Sequence, residues 1–186
     1  MPIDPLQTWK DELENLPKVS DNSWALNFAN WYALRIVGIE PDPAVLTSVG
    51  WVFPFPVPVF ASALISLTPT NDALAGIQGF ADAWELAILS TIPVIAPGSF
   101  IPPPTPATIF SAIIPPVVID PASVAAGKAK LVELVTAPPV SDPKDSQFPV
   151  KFREATLLLT VTVNGLNSVP PPAGPQPLTA PAVPLI

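Results

Sequence analysis

Residues Asp72–Leu89 read DALAGIQGFADAWELAIL, and proline-bearing runs flank them on both sides. Ala73, Ile77, Phe80, Ala81, Trp84, Ala87 and Ile88 recur at steps of three and four, which places them on one face of an α-helix. Asp72, Gln78, Asp82 and Glu85 fall largely off that face. The stretch therefore predicts an amphipathic helix, and the rest of the chain is read outward from it.

Upstream, Pro5 to Leu16 predicts a short helix with Leu6, Trp9, Leu13 and Leu16 on one side, ended by Pro17. The polar run Ser20–Ser23 is expected to cap a second helix, Trp24 to Val37. Trp24, Phe28, Trp31 and Arg35 form its stripe, and Tyr32 and Leu34 widen it. Gly38 suits the position after the helix, and Pro41 blocks continuation. Between this helix and the central one lies GWVFPFPVPVF, Gly50 to Phe60. Each proline there deletes a ladder donor, so an interior strand is excluded and an extended, polyproline-like path is expected. A short helix should follow from about Pro58 to Leu67.

Downstream, Pro93 to Pro106 predicts another extended apolar connector. Thr105-Pro106 then predicts a helix over ATIFSAII, closed by Pro115-Pro116. Asp120-Pro121 predicts a helix to about Val135, with Val124, Leu131, Leu134 and Val135 inward and Lys128, Lys130 and Glu133 outward. Phe148 to Val163 carries two signals. Phe148, Phe152, Ala155 and Leu159 suit a helix, whereas LLLTVTVNG has strand-like β-branched residues and a turn signal; helix is the favoured expectation. From Pro170 the chain cannot hold a helix, and with no charge it reads as an arm laid over this subunit or a neighbour.

Much of the proline marks helix starts. Asp4-Pro5, Asp42-Pro43, Thr68-Pro69, Thr105-Pro106, Asp120-Pro121 and Asp142-Pro143 each put a capping oxygen before a residue whose missing donor is harmless in the first turn, although Asp42-Pro43 also reads as a simple turn. Residues 56–92 and 104–135 show a loose internal repeat: a Phe with Ala close behind it follows proline in both, and Gly76 and Phe80 correspond to Gly127 and Leu131. A duplication or shared composition accounts equally for the match.

The expected fold class is mainly α. It is a compact bundle of about six or seven short helices joined by extended Pro-rich connectors, forming one helical domain over residues 1–169 with an extended arm over 170–186.

Composition bounds the function. Of 186 residues, 49% are hydrophobic and only 12% are charged, and mean hydropathy is +0.47. So little charge leaves a large apolar surface to cover, which predicts burial against partner chains. A net charge of −7 disfavours nucleic acid and anionic membranes as partners. The N-terminus has no basic region leading into an apolar core, so it does not read as a signal peptide. Prolines and the acids Asp82 and Glu85 interrupt each apolar stretch that approaches membrane-spanning length.

The chemistry is sparse. Histidine and cysteine are absent, which removes the commonest general base and the ligands of zinc and haem sites. No phosphate-binding loop, calcium loop or nucleophile–base pair stands out, and the carboxylates lie on faces opposite the apolar stripes. No catalytic, metal or cofactor residue is assigned, and the chain is read as no enzyme, without cofactor. The residues best placed to meet other chains are in the connectors and tail: Trp51, Phe53, Phe55, Phe100, Ile101, Leu178, Val183, Leu185 and Ile186.

Phe/Trp/Ala-rich helices such as GFADAWELAIL, apolar proline connectors, and a tail of the form GLNSVPPPAGPQPLTAPAVPLI together resemble small accessory structural proteins of tailed bacteriophages. The likeness is one of style across most of the chain. It implies a non-enzymatic virion component, of the baseplate or tail or a capsid-associated decoration, assembled in the host cytoplasm. Its partners would be other virion proteins or copies of itself. A second expectation, from the Trp/Phe-rich core, is a small helical binding domain for an apolar ligand or lipid.

Overall fold

The computed structural model describes residues 5–17, 22–36, 51–52, 54–67, 72–92, 94–95, 110–138, 146–167 and 176–184. The described chain is mainly helical, as the sequence predicts. Its helices are α1 (Leu6–Glu14), α2 (Ser23–Arg35), α3 (Val57–Ile65), α4 (Ala73–Leu89), α5 (Pro121–Val132) and α6 (Phe148–Leu157), and α5 runs on into a 3-10 turn over Glu133–Thr136. Strands β1 (Trp51–Val52) and β2 (Val94–Ile95) form one small antiparallel pair. Strands β3 (Phe110–Ile119), β4 (Thr160–Asn167) and β5 (Gln176–Pro184) form an antiparallel sheet with β4 in the middle.

Local chemistry explains the best-defined helix starts. Asp72 sits in extended backbone and its carboxylate accepts from Leu74 N at 2.9 Å and Ala75 N at 3.4 Å, satisfying free donors of α4. Asp120 does the same for α5 through Ala122 N at 3.0 Å, with Pro121 in the first turn. Pro58 and Pro149 occupy the first turns of α3 and α6. Of these two caps, Asp120 was expected from the sequence and Asp72 was not, and the other expected caps behave differently. The residue before α1 is Pro5 and that before α2 is Asn22, neither with a side-chain cap bond. Asp4, Gly38, Pro41, Asp42-Pro43, Thr68-Pro69, Thr105-Pro106 and Asp142-Pro143 lie outside the described residues.

The helices close on one another around a ring. Packing runs from α2 to α3, α4, α5, α6 and α1, and α1 returns to α2 through the Trp9 and Trp31 rings, 5.3 Å apart and edge to face. Aromatic side chains fill the centre. Phe152 lies within ring contact of Trp9, Phe28, Trp31, Tyr32, Phe80 and Phe148. Such tilted and edge-on pairs add to the burial of large apolar area. α5 fits between α4 and α6 because Gly127 has no side chain. A Cβ there would lie 2.5 Å from the Trp84 ring and 2.8 Å from the Ala155 carbonyl oxygen.

The structure corrects several expectations. Of the run ATIFSAII, residues 107–109 lie outside the described residues, and from Phe110 the chain is not helix but strand β3, which continues to Ile119. Ile113, Ile114, Val117, Val118 and Ile119 are β-branched, and extended backbone accommodates Pro115-Pro116 at a register shift between Ile114 and Val118. The contested stretch divides, with helix to Leu157 and strand from Thr160. The stripe of α2 is rotated. Trp24 is 41% and Leu34 63% exposed, while Ala25 and Ala29 are fully buried, because neighbouring helices approach where α2 is narrow. The first turns of α4, including Ala73, are exposed, and burial begins in earnest at Ala81. Residues 57–65 and 110–119 take different structures, helix and strand, so the backbone does not echo the sequence repeat there.

Candidate interaction surface

One polar chain crosses the interior. Trp84 Nε1 donates to Tyr32 Oη at 2.8 Å, and Tyr32 Oη lies 2.9 Å from Thr156 Oγ1. Thr156 Oγ1 in turn donates to the Phe152 carbonyl at 3.0 Å. Since Thr156 uses its proton on that carbonyl, Tyr32 donates to Thr156, and the three bonds run in one direction. Burial pushes the Tyr32 phenol well above its ordinary pKa, and the bonds to Thr156 and Trp84 offset this only in part. The indole Nε1 of Trp9, equally buried, has no hydrogen-bond partner among the described residues. The chain of bonds locks α2, α4 and α6 together.

Charges on the surface are tied in small networks. Lys128 on α5 lies 2.6 Å from both Asp82 and Glu85 of α4, and bonds to these two carboxylates, Asp82 first, raise its pKa. Glu133 pairs with Lys130 at 2.8 Å and Lys151 at 2.7 Å, which lowers its pKa. Glu12 accepts from Trp31 Nε1 at 2.9 Å and pairs with Arg35 at 3.1 Å. Lys128, Glu12 and Lys151 bridge between helical elements, and Lys130–Glu133 is local to α5 and its 3-10 end. Among the described residues no group of three or more metal-ligating side chains converges, and no helix is long and apolar enough to cross a membrane.

The feature best suited to recognition is apolar. Pro58, Val59, Ser62, Ala63 and Ser66 of α3 and its end face Leu86 of α4 across an open groove of about 460 Å³. Leu86, in the last turn of α4, is 53% exposed. Val59, Leu74, Leu89 and Ile92 are also exposed. The Ser66 hydroxyl is bonded to the Ser62 carbonyl at 2.8 Å, which reduces the polarity of the floor. The groove thus offers shape and apolar area with little hydrogen-bonding demand, as a protein contact requires.

The nine residues expected at interfaces are scattered. Trp51 lies in β1, in register with Ile95. Leu178 and Val183 lie in β5, opposite Gly165 and Val161. Phe53, Phe100, Ile101, Leu185 and Ile186 lie outside the described residues. Phe55 is a correction. It is buried, with its ring edge-on to Tyr32 at 5.0 Å and Phe60 at 5.5 Å, because the Pro54–Pro56 segment lays it over α2 and α3. The groove was missed from sequence. Its signal was the presence of Leu86 and Leu89 off the apolar stripe of α4, where polar residues are expected.

No protein-family model, curated protein or solved structure matches this chain.

Proposed function

We propose that this chain is a non-enzymatic structural subunit of a phage virion, a baseplate or tail component or a capsid-associated decoration protein, that works by burying apolar surface against neighbouring subunits. The observation that carries the interaction part is the α3–α4 groove with Leu86 and Val59 exposed along it. Contiguous exposed apolar surface of this kind marks contact sites. The virion part rests on the resemblance of the aromatic helices and proline-rich segments to accessory phage proteins. The Trp and Phe rings of the interior pack on one another, which supports a packing role for them over a ligand chamber.

The test is quantitative mass spectrometry of purified particles from the source phage. A fixed copy number per particle is the expected result, and Leu86→Glu should lower incorporation at least about tenfold while leaving the helical circular dichroism unchanged. Absence of the chain from purified particles would overturn the reading.

A further inference from the structure

The ring of helices is weakest where α1 closes it. α1 has 9 residues, too few for a helix to stand alone in water. Pro5 before it makes no side-chain cap bond, its first turn carries no acid and its last turn no base. Asp72 and Asp120 supply such a cap to α4 and α5. The polar bonds of Gln7 and Asn15 both go to Asp11, within α1 and its end.

What holds α1 is its seat. It packs along α6 and meets α2 through side chains. Trp9 is fully buried, and its ring lies edge-on to Trp31 at 5.3 Å, Tyr32 at 6.3 Å and Phe152 at 5.7 Å. Leu13 and Leu16 pack against the same core. Among the described residues, the polar ties from α1 to the body all come from Glu12, which accepts from Trp31 Nε1 at 2.9 Å and pairs with Arg35 at 3.1 Å. Trp9, Leu13 and Leu16 fall at steps of four and three, the anchor spacing of an amphipathic helix in a groove. α1 is thus held as a ligand is held, by one deep aromatic ring, two leucines and one charged clamp. A defect loosens it. Trp9 Nε1 is kept from water with no partner among the described residues, and an unmet donor weakens the docked state.

We infer that α1 is an exchangeable helix, which leaves its seat without unfolding the other helices, and that the seat then takes the α1 of a second copy of the chain. The fit selects that occupant. A seat that encloses an indole among three rings and offers an indole N–H and a guanidinium to one carboxylate is matched by Trp9 and Glu12 at their spacing, and a second copy carries the same pair.

The connection permits the exchange. Residues 15–22 join α1 to α2, and Pro17 keeps the two from merging into one helix. Fully extended, that link spans up to about 26 Å, against about 8–10 Å between the axes of packed helices, so it reaches an adjoining copy. Two copies that trade helices fill both seats. A short tether holds α1 at an effective concentration of about 1 mM. Its own seat therefore wins in dilute solution, and the neighbour's seat competes as the chain approaches that concentration.

Two measurements on the full chain test this. In the first, a fluorescently labelled peptide of residues 5–17 is titrated with the chain and followed by anisotropy. Saturable binding is expected, and Trp9→Ala in the peptide should weaken it at least about tenfold. Trp9→Ala in the chain removes the competing anchor and should tighten binding of the parent peptide at least about tenfold. Leu13→Ala in the chain, at a partly buried position of α1, should tighten it at least about threefold, and it decides the matter if circular dichroism shows Trp9→Ala unfolded.

The second measurement is sedimentation velocity from about 1 μM to about 1 mM. A monomer giving way to a dimer is expected, with Leu13→Ala weakening the dimer at least about threefold. No binding of the peptide, equal binding to parent and variant chains, or a monomer at every concentration would each overturn exchange. Exchange goes beyond the virion reading and is decided on the purified chain, whereas particle composition decides the virion role, so either can fail alone.

Discussion

The helical body and the sheet solve opposite problems. In the body, aromatic rings meet aromatic rings, Lys128 and Lys151 each bridge carboxylates, and Tyr32 is bonded on both sides. Its stability is internal. The sheet has no charge and five prolines on its two edge strands, and Ile119 at its root is buried in the core. Apolar, proline-bearing sequence thus builds a closed ring where helices circle a centre and a separate sheet where strands leave it.

Substitutions in the buried interior of the body should therefore change folding, and association only where they reach the seat of α1. The largest effect is expected at Phe152→Ala, which removes the ring touched by six others and should cost about 3–5 kcal/mol in a urea unfolding titration. Gly127→Ala comes next, at about 1–3 kcal/mol, because its new methyl would meet the Trp84 ring and a backbone carbonyl. Gly79→Ala faces only the movable end of Leu67 and should be nearly neutral; equal effects at the two glycines would break the account of α5 packing.

Tyr32→Phe should cost about 1–3 kcal/mol, since it strands the buried Trp84 N–H. It also gives the pH dependence. Tyr32 has a raised folded pKa, so its contribution is present below about pH 10 and falls as pH rises, because only the unfolded chain then releases the proton. As the only tyrosine, it is read directly from tyrosinate absorbance. Ionisation at an ordinary pH without unfolding would contradict its burial. Asp120→Ala removes the α5 cap and a tie to β4, and about 0.5–2 kcal/mol of destabilisation is expected in thermal melts. The smallest effect is expected at Lys128→Met. That bridge is partly exposed, and a loss under about 1 kcal/mol that shrinks further in high salt is predicted.

Legibility from sequence followed the range of the interactions. The start of α5 was readable because Asp120 acts on a donor two residues away, whereas Asp72, which caps α4, was read only as a residue off the apolar face. Helix α6 was readable from Phe148, Phe152 and Ala155. The strand nature of Phe110–Ile119 was hidden, since a short apolar run fits helix or strand alike and the pairing that decides it comes from Thr160–Asn167, far along the chain. In α2 the bulky residues drew the stripe, yet burial followed Ala25 and Ala29, whose smallness matters only once a neighbour approaches. The groove at Leu86 depends on which flank of α4 is left after α3 and α5 have docked, and no local pattern encodes that.

The root of the sheet has a mechanical consequence. β3 runs straight into α5 at Asp120, and β4 continues from the end of α6 through Leu159. A pull on the sheet is therefore carried by two covalent tethers side by side, cross-tied by Asp120, Ser123 and Thr160. The load passes into two helices packed against each other at Gly127 and Ala155. Tension at the sheet is spread through the core and is not borne by one loop.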